Sequence, residues 1–276
     1  MAKTVLITGC SSGFGRAAVR RFLSEEWHVV ATMRDPAAWE DSRDNDRLML
    51  LPLDVLNESS VDAAFSAAFA RLGRIDVVVN NAGKGLFSVF EATPQETVRD
   101  VFETNFFGAL SVMRRAVPHM RAAGGGTIVN VASGSAIVAE PLMATYSASK
   151  AALDSFTEAL TGELVDQGID LKIVIPGFVP GTNFVERARV AAEAIPVPDA
   201  YGAYVQARQA SYTSAAPAAF ATDEDVADAI FAAAADTQDQ LRWLVGPDVT
   251  AAAQVRWETS EAKYAAWRHS RYDVAG

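Results

Sequence analysis

Residues 3–15 read KTVLITGCSSGFG and join a short apolar run to three glycines. Valine, leucine and isoleucine without polar alternation predict a strand buried on both faces, as in a parallel sheet. Three glycines follow this run, at the point where a helical pattern begins; they are Gly9, Gly13 and Gly15. Such glycines close a tight turn and let a pyrophosphate approach the backbone at a helix N-terminus. The GxxxGxG spacing alone is a weak signal, because a turn that needs positive φ would also explain it.

The rest of the chain alternates strand and helix in the same way. Strands are predicted at 3–8, 27–33, 47–51, 76–80, 127–131, 171–175 and 241–245, and helices at 13–24, 59–71, 94–121, 146–166 and 223–235. Ser59 or Ser60 is the expected N-cap of the second helix. This alternation predicts an α/β fold, a doubly wound parallel seven-stranded sheet (Rossmann-like), in a single domain.

Composition excludes several classes of function. The net charge of −10 disfavours binding to nucleic acid or to anionic membranes. A single cysteine, Cys10, rules out an intramolecular disulfide and a cysteine-based zinc site, and three scattered histidines give no metal pair. The N-terminus lacks a signal-peptide pattern, and no run of about 18 apolar residues occurs, so we expect a cytoplasmic protein without a metal.

Tyr146 and Lys150 stand in the run YSASK at the head of a predicted helix. Residues four apart share a helix face. An ammonium about 4 Å from a phenol is worth about 4 kcal/mol at an effective dielectric of about 20. It could lower the phenol pKa from about 10 by up to about three units. The pair is therefore a candidate proton donor and acceptor, although the motif alone is common on helix faces.

Polar residues also follow the predicted strands, where ligands bind in parallel sheets. Ser133 ends the strand at 127–131, Asn80 and Asn81 end another, and Asp54 follows the third. Ser135 is an alternative to Ser133, but the N-x-x-S step from Asn130 favours Ser133. Asn105 lies within a helix among apolar residues, where a polar side chain needs either a function or a local hydrogen-bond partner.

The second strand ends in Met33, Arg34 and Asp35. Dinucleotide folds place an acid here to bind a ribose 2′-hydroxyl, or an arginine to bind a 2′-phosphate. Arg34 therefore favours NADP(H) over NAD(H) as cofactor. The alternative is that Arg34 is a solvent-exposed loop residue that pairs with Asp35 and has no role in binding the cofactor.

TGCSSGFG, NNAG, Ser133, YSASK and PG, in this order, resemble the short-chain dehydrogenase/reductase family. The similarity is tight over about 3–182 and looser over 222–247. It implies that Tyr146 exchanges the proton on the substrate oxygen, that Lys150 lowers the Tyr146 pKa and holds the nicotinamide ribose, and that Ser133 binds the carbonyl oxygen. It also implies that Asn105 kinks its helix and holds a water in a proton relay.

The same resemblance implies which residues contact the cofactor. Asp54 would contact the adenine amine with Val55 behind it, and Asn81 to Gly83 would line the adenosine ribose. One position departs from the family pattern, since Thr182 lies six residues after Pro176 rather than five. The full implied set is Gly9, Ser11, Ser12, Gly13, Phe14, Gly15, Arg34, Asp54, Val55, Asn81, Ala82, Gly83, Tyr146, Lys150, Pro176, Gly177, Val179 and Thr182.

These expectations define a function and an organisation. A catalytic domain spans 1–250 with 178–221 as an aromatic-rich substrate lid, and 251–276 is a C-terminal extension that covers either the pocket or a neighbouring subunit. The expected reaction interconverts a ketone or aldehyde and an alcohol on a bulky hydrophobic substrate with NADP(H). Alternatives are a non-catalytic NADPH sensor and an NAD-dependent alcohol dehydrogenase, dehydratase or epimerase. The helices at 94–121 and 146–166 would form a homodimer or homotetramer.

Overall fold

Seven parallel strands form one sheet in the computed structural model, which describes residues 2–180, 183–213 and 220–272. The strands are β1 Thr4–Ile7, β2 His28–Met33, β3 Leu48–Pro52, β4 Val77–Asn80, β5 Gly126–Val131, β6 Ile169–Pro176 and β7 Arg242–Val245. Their order in the sheet is β3-β2-β1-β4-β5-β6-β7. The predicted single-domain, Rossmann-like α/β fold is confirmed.

Helices cover both faces of the sheet. They are α1 Gly13–Ser24, α2 Glu58–Leu72, α3 Gln95–Phe102, α4 Gly108–Ala122, α5 Ala144–Leu164, α6 Asn183–Glu193, α7 Gly202–Thr213, α8 Asp223–Ala235, α9 Pro247–Glu258 and α10 Glu261–Tyr272. Helices α1 and α8 pack on one face, and α2, α4 and α5 on the other. Among the described helices, none combines the length and the apolar character needed to cross a bilayer.

The unbroken apolar character of β1 follows from this layering. Val5 and Ile7 are fully buried against the layer of α1 and α8. Leu6, also fully buried, points the other way into the layer of α2, α4 and α5. Successive side chains of a strand face opposite sides, and here both sides are covered.

The strand order reverses beside β1. The chain leaves β1 through α1 to reach β2 on one side, whereas β4 pairs with the other side of β1. A crevice therefore opens at the carboxyl ends of β1 and β4, which is where ligands bind in open α/β sheets. The glycine loop and the NNAG run both lie there.

The N-terminus of α2 differs from the prediction. Asn57, rather than Ser59 or Ser60, is the N-cap, and its Oδ1 accepts a hydrogen bond from Ser60 N at 3.1 Å. The Ser60 hydroxyl instead accepts from Asp54 N at 3.0 Å. The serine prediction was wrong because an asparagine stands within reach, and asparagine caps a helix equally well.

The helix predicted at 94–121 is not continuous. A π-helical turn, Glu103–Phe107, separates α3 from α4. Such wider turns are rare and occur frequently at functional sites. At its end, a Cβ on Gly108 would lie 2.7 Å from Val55 Cγ2, so this glycine lets the helix approach the segment after β3.

The C-terminal helices fold back onto their own chain. Tyr264 of α10 is 7% exposed and packs with Val138 and with Ala252 of α9. Val138 belongs to the segment that connects β5 to α5. The extension therefore covers the region of the predicted pocket within its own chain. The predicted boundary at 250 falls inside α9.

Candidate active site

The glycine loop has the shape that a closely approaching ligand requires. Gly9 has a φ of +74° and Gly13 a φ of +53°, both in the left-handed region that favours glycine. A Cβ on Gly15 would lie 2.4 Å from Gly9 O. Helix α1 begins at Gly13 after Ser12, whose side chain does not cap it. The first N–H groups of α1 are thus presented to the crevice, as an anion site needs.

Thr8 fastens this loop to the strand beside it. Its Oγ1 accepts hydrogen bonds from Asn81 N at 3.1 Å and Ala82 N at 3.0 Å. The Asn81 side chain donates back to Thr8 O at 2.9 Å and Gly9 O at 3.2 Å. The Asn81 amide thus holds the loop, and its contact with the adenosine ribose stays a prediction. Thr8 is a structural residue of the site that the motif alone does not single out, although a hydroxyl at a strand end is a usable signal.

Arg34 lies at the exposed tip of β2, next to the buried Met33. Asp35 uses its carboxylate elsewhere, since Oδ1 accepts from Ala37 N at 2.9 Å. Within the described part of the chain, Arg34 and Asp35 form no ion pair. Arg34 is thus exposed at the carboxyl end of β2, and its contact with a cofactor phosphate stays a prediction.

Other residues of the implied cofactor set lie around the same strand ends. Asp54 Oδ1 accepts from Leu56 N at 3.0 Å, and the Val55 side chain is buried. A Cβ on Gly83 would lie 3.2 Å from Asn105 Oδ1 and 3.5 Å from Lys150 Nζ, so Gly83 lies at the catalytic side. Ser11 and Phe14 complete the glycine loop, and Pro176, Gly177 and the buried Val179 follow β6. Thr182 lies outside the described residues.

Ser133 and Tyr146 come together at the C-terminal end of β5. Tyr146 is 6% exposed, and Ser133 lies close enough to lower the pKa of its phenol. Ser135, the rival serine, donates from its Oγ to Ser133 Oγ at 3.1 Å. Both serines line the same cavity as Tyr146, and the choice of Ser133 as the catalytic serine stays a prediction.

Lys150 is anchored to the sheet. It is 4% exposed, and its Nζ donates to Val131 O at 2.8 Å. Burial lowers the pKa of Lys150 to about 8. Burial also raises the pKa of Tyr146 to about 12, against a smaller lowering by Ser133. The predicted lowering of the phenol pKa by Lys150 was therefore wrong, because loss of hydration outweighs any effect of the ammonium.

Asn105 is held in the π-helical turn by three hydrogen bonds. Its Nδ2 donates to Lys84 O at 2.9 Å and to Ser149 Oγ at 3.0 Å, and its Oδ1 accepts from Lys84 N at 2.8 Å. The Ser149 hydroxyl donates to Tyr146 O at 2.7 Å. Asn105 thus connects the segment after β4 to the first turns of α5. Its place in a proton relay stays a prediction.

A cavity of about 440 Å³ opens onto Ser133 and Tyr146. Its wall is largely apolar and includes Phe184, whose ring lies 5.4 Å from that of Tyr146. The other aromatic and aliphatic lining residues include Phe14, Phe87, Val138, Met143, Phe178, Val179, Val185, Phe220, Val249 and Ala252. Residues of α6, α7, α9 and α10 thus share this wall with the glycine loop.

Four charged residues of the wall were missed by the sequence analysis. They are Glu140, Arg208, Asp248 and Arg271. Asp248 Oδ2 accepts from Phe178 N at 2.8 Å, and a Cβ on Gly177 would lie 2.1 Å from Asp248 Oδ1. No motif pointed to these residues, because they come from segments far apart in sequence.

The family model described as short chain dehydrogenase matches residues 3–192, more than half of the chain. The chain belongs to the short-chain dehydrogenase family. Membership places it among NAD(P)-dependent oxidoreductases, as the resemblance implied.

Curated relatives within the family match slightly less than two thirds of the chain. An uncharacterized oxidoreductase, YusZ of Bacillus subtilis, is 37% identical over 182 residues, which are 63% of this chain and 64% of the relative. A 3-ketodihydrosphingosine reductase of Bacteroides thetaiotaomicron is 37% identical over 174 residues, which are 63% of this chain and 62% of the relative. The chain thus aligns with less than two thirds of either protein.

Solved structures of the family match over nearly the whole chain. A short-chain dehydrogenase from Streptomyces avermitilis has a TM-score of 0.81 at 30% identity and covers 100% of this chain and 99% of its own. One from Burkholderia phymatum, in complex with NAD, has a TM-score of 0.79 at 28% identity over 93% of each chain. One from Burkholderia cenocepacia, in complex with NADP, has a TM-score of 0.73 at 26% identity and covers 99% of this chain and 98% of its own. A nicotinamide dinucleotide is therefore the supported cofactor class.

Proposed function

We propose that this short-chain dehydrogenase interconverts a ketone or aldehyde and an alcohol on a bulky hydrophobic substrate, with NADP(H) as cofactor. The observation that carries the proposal is that Ser133 and Tyr146 stand together in the wall of a largely apolar cavity. A buried phenol and a serine hydroxyl there are suited to bind one substrate oxygen and to move a proton at it.

Tyr146 is the proposed proton donor. Burial raises its pKa to about 12, so the phenol keeps its proton at neutral pH. A protonated phenol is the form that donates to a carbonyl oxygen while a ketone is reduced. Ser133 holds that oxygen by a second hydrogen bond. NADPH, when bound, supplies the hydride.

Lys150 and Asn105 support this proton donor. Lys150 Nζ lies 3.5 Å from where a Cβ on Gly83 would stand, which supports a role in holding the hydroxyls of the nicotinamide ribose. Asn105 fixes the backbone of Lys84 and, through Ser149, the backbone of Tyr146. In the proposed relay, Asn105 also holds the water that returns a proton toward Lys150.

The cavity favours an apolar substrate. Rings of Phe178 and Phe220 pack at 5.1 Å in its wall, and Phe184 packs on Tyr146. Pockets lined in this way bind apolar molecules and use a few polar groups for orientation. The relative named 3-ketodihydrosphingosine reductase carries a name that fits this substrate class. In this proposal, the segment at 178–221 is the substrate lid.

A panel of aliphatic and aromatic ketones and alcohols, run with NADPH, NADH and their oxidised forms, tests the function. We expect NADPH-dependent reduction of apolar ketones by the full chain and its loss in Tyr146→Phe. Absence of turnover with every carbonyl compound would contradict the proposal. A dinucleotide that survives purification without net turnover would point to the dehydratase or epimerase alternative.

A further inference from the structure

The apolar cavity contains a charged cluster that the proposed reaction does not use. Arg208 of α7, Arg271 of α10 and Glu140 of the segment before α5 all line it. Arg208 is 6% exposed, although arginine is seldom fully buried. Three distant segments thus bring charged side chains to one cavity that otherwise suits hydrocarbon.

Arg271 contacts both of the other two residues. Arg271 Nη2 donates to Glu140 Oε1 at 3.0 Å, and Arg208 Nη1 donates to Arg271 O at 3.3 Å. The Arg208 guanidinium also lies over the ring of Tyr272, 5.3 Å from its centre. The contacts fix where both guanidinium groups stand in the wall.

The charged residues among the described lining residues form two groups, which are Asp248 alone and the cluster of Arg208, Arg271 and Glu140. Asp248 lies in the first turn of α9, where the helix dipole favours an acid, and it accepts from Phe178 N. The cluster contains two guanidinium groups and one carboxylate. A guanidinium presents donors in a planar fork that matches the two oxygens of a carboxylate.

We propose that Arg208 and Arg271 form a subsite for a carboxylate, so that the substrate is an apolar ketone or alcohol that carries an acid group. That the bound molecule is a substrate rests on the proposed function, whereas binding of its carboxylate does not require turnover. The subsite would orient the molecule in the cavity, and the apolar wall would bind the rest of it.

The same contacts would also serve a purely structural tie between α10 and the segment before α5. The two roles make opposite predictions for Glu140→Gln. Both Glu140→Gln and Arg271→Gln break the ion pair, so a structural tie predicts the same direction of change in each. A carboxylate subsite predicts tighter binding when Glu140 loses its charge and weaker binding when Arg271 does.

The test measures binding of phenylbutyrate and its uncharged amide, phenylbutyramide, to the full chain by isothermal titration calorimetry. We expect Arg208→Gln and Arg271→Gln to weaken phenylbutyrate binding roughly tenfold or more, the range expected for a charge-assisted hydrogen bond. Glu140→Gln should strengthen it, and phenylbutyramide should bind all variants alike. Arg256→Gln is the matched control, because Arg256 lies over Tyr264 outside the cavity wall.

Thermal unfolding of each variant shows whether it is folded. If Arg208→Gln does not fold, because position 208 is buried, Arg271→Gln still tests the subsite. Equal binding of acid and amide, or parallel losses in Glu140→Gln and Arg271→Gln, would overturn the subsite. Charge-dependent binding without turnover of any carbonyl compound would support the subsite and contradict the proposed function.

Discussion

Lys150 Nζ donates a hydrogen bond to Val131 O at 2.8 Å, so that the ammonium of α5 is anchored to strand β5. The family resemblance implied a lysine that lowers the pKa of Tyr146. The structure has a buried lysine whose own pKa is lowered to about 8 and a buried phenol whose pKa is raised to about 12. Burial therefore sets both protonation equilibria, and it makes the stability of the protein depend on pH.

The contribution of Lys150 to stability should rise with pH between about 8 and 10, because unfolded lysine has a pKa of about 10.4. In that window the folded chain releases the Lys150 proton before the unfolded chain does, so the unfolded state binds more protons. Below about pH 8 both states hold the proton, and the folded state bears the full cost of burying it. The slope due to Lys150 is at most about 1.4 kcal/mol per pH unit.

Urea unfolding of the wild type and of Lys150→Met checks this dependence. The variant should lack the rise, and the difference between the two curves isolates Lys150. Two other buried groups oppose the rise in both proteins. The raised pKa of Cys10 lowers stability above about pH 8.5 and the raised pKa of Tyr146 does so above about pH 10, because each group ionises first in the unfolded chain. Identical slopes in both proteins would contradict the prediction.

Gly15→Ala and Gly162→Ala should have opposite effects on stability. A Cβ on Gly15 would lie 2.4 Å from Gly9 O, a backbone atom that has no room to move, and overpacking of this kind costs about 1–3 kcal/mol. Gly162 lies within α5 with nothing within 4 Å of its Cβ position, and alanine there should stabilise by about 0.5–1 kcal/mol.

Denaturant unfolding and dinucleotide titration of both glycine variants give the comparison. Only Gly15→Ala should also weaken dinucleotide binding, because the glycine loop is proposed to cradle the pyrophosphate. A Gly15→Ala protein as stable as the wild type would show that the loop moves aside.

The parts of the fold that were predictable follow from burial. Strand β1 is covered on both faces, so its apolar run has no polar alternation, and α1 begins at Gly13 as the glycines indicated. Only the family resemblance implied a kink at Asn105, since the π-helical turn Glu103–Phe107 uses the same residue types as an α-helix. The helical pattern around it therefore suggested one continuous helix.

The site was predictable where it follows the chain and not where it depends on packing. Ser133 and Tyr146 come together because β5 and α5 are consecutive elements. The pKa of Tyr146 depends on how completely the surrounding segments exclude water, which no local pattern records. Arg208 and Arg271 were missed because only the folding of α7 and α10 over the cavity brings them together.

Phe107→Glu should disrupt the proposed homo-oligomer. Phe107 lies just before α4 and is 50% exposed. Its neighbour Phe106 packs instead on Phe156 of α5, with the ring centres 5.7 Å apart. A charge there would be buried in any interface formed by these two helices, at a high cost. Light scattering should give a dimer or tetramer for the wild type and a smaller mass for the variant.

Phe90→Glu is the control for that experiment, because Phe90 is 77% exposed and lies outside α4 and α5. It should leave the mass unchanged. A wild-type protein that is monomeric at micromolar concentration would contradict the oligomer.

Arg34→Ala should change the choice between NADPH and NADH. The guanidinium is exposed beside the buried Met33, and Asp35 is occupied by Ala37 N. A lost charge-assisted hydrogen bond of about 1.5–3 kcal/mol corresponds to a rise in KM for NADPH of roughly ten- to a hundredfold. KM for NADH should change little. Arg43→Ala is the control, since Arg43 donates to Pro36 O in the same loop. Equal effects of Arg34→Ala on both cofactors would refute the assignment.

Tyr146→Phe should abolish most of the activity and leave the cofactor site intact. The change removes the phenol proton at the reacting oxygen and keeps the ring that packs on Phe184 at 5.4 Å. General acid catalysis contributes about 10² to 10⁴ in rate, so kcat should fall by that factor. The glycine loop and Lys150 are unchanged, so NADPH binding, followed by fluorescence, should stay within about twofold, well below the tenfold change that 1.4 kcal/mol would produce.

Tyr201→Phe is the matched control for this experiment, because its hydroxyl donates to Glu91 at 3.0 Å on the surface. It should keep full activity. Lys150→Ala should instead lose both rate and cofactor affinity, since Lys150 is proposed to hold the ribose as well as to support the proton relay. If Tyr146→Phe retained most of its activity while Tyr201→Phe behaved as the wild type, another group would have to supply the proton. The Ser133 hydroxyl, which lines the same cavity as Tyr146, would be the next candidate, and Ser133→Ala would then show the larger loss.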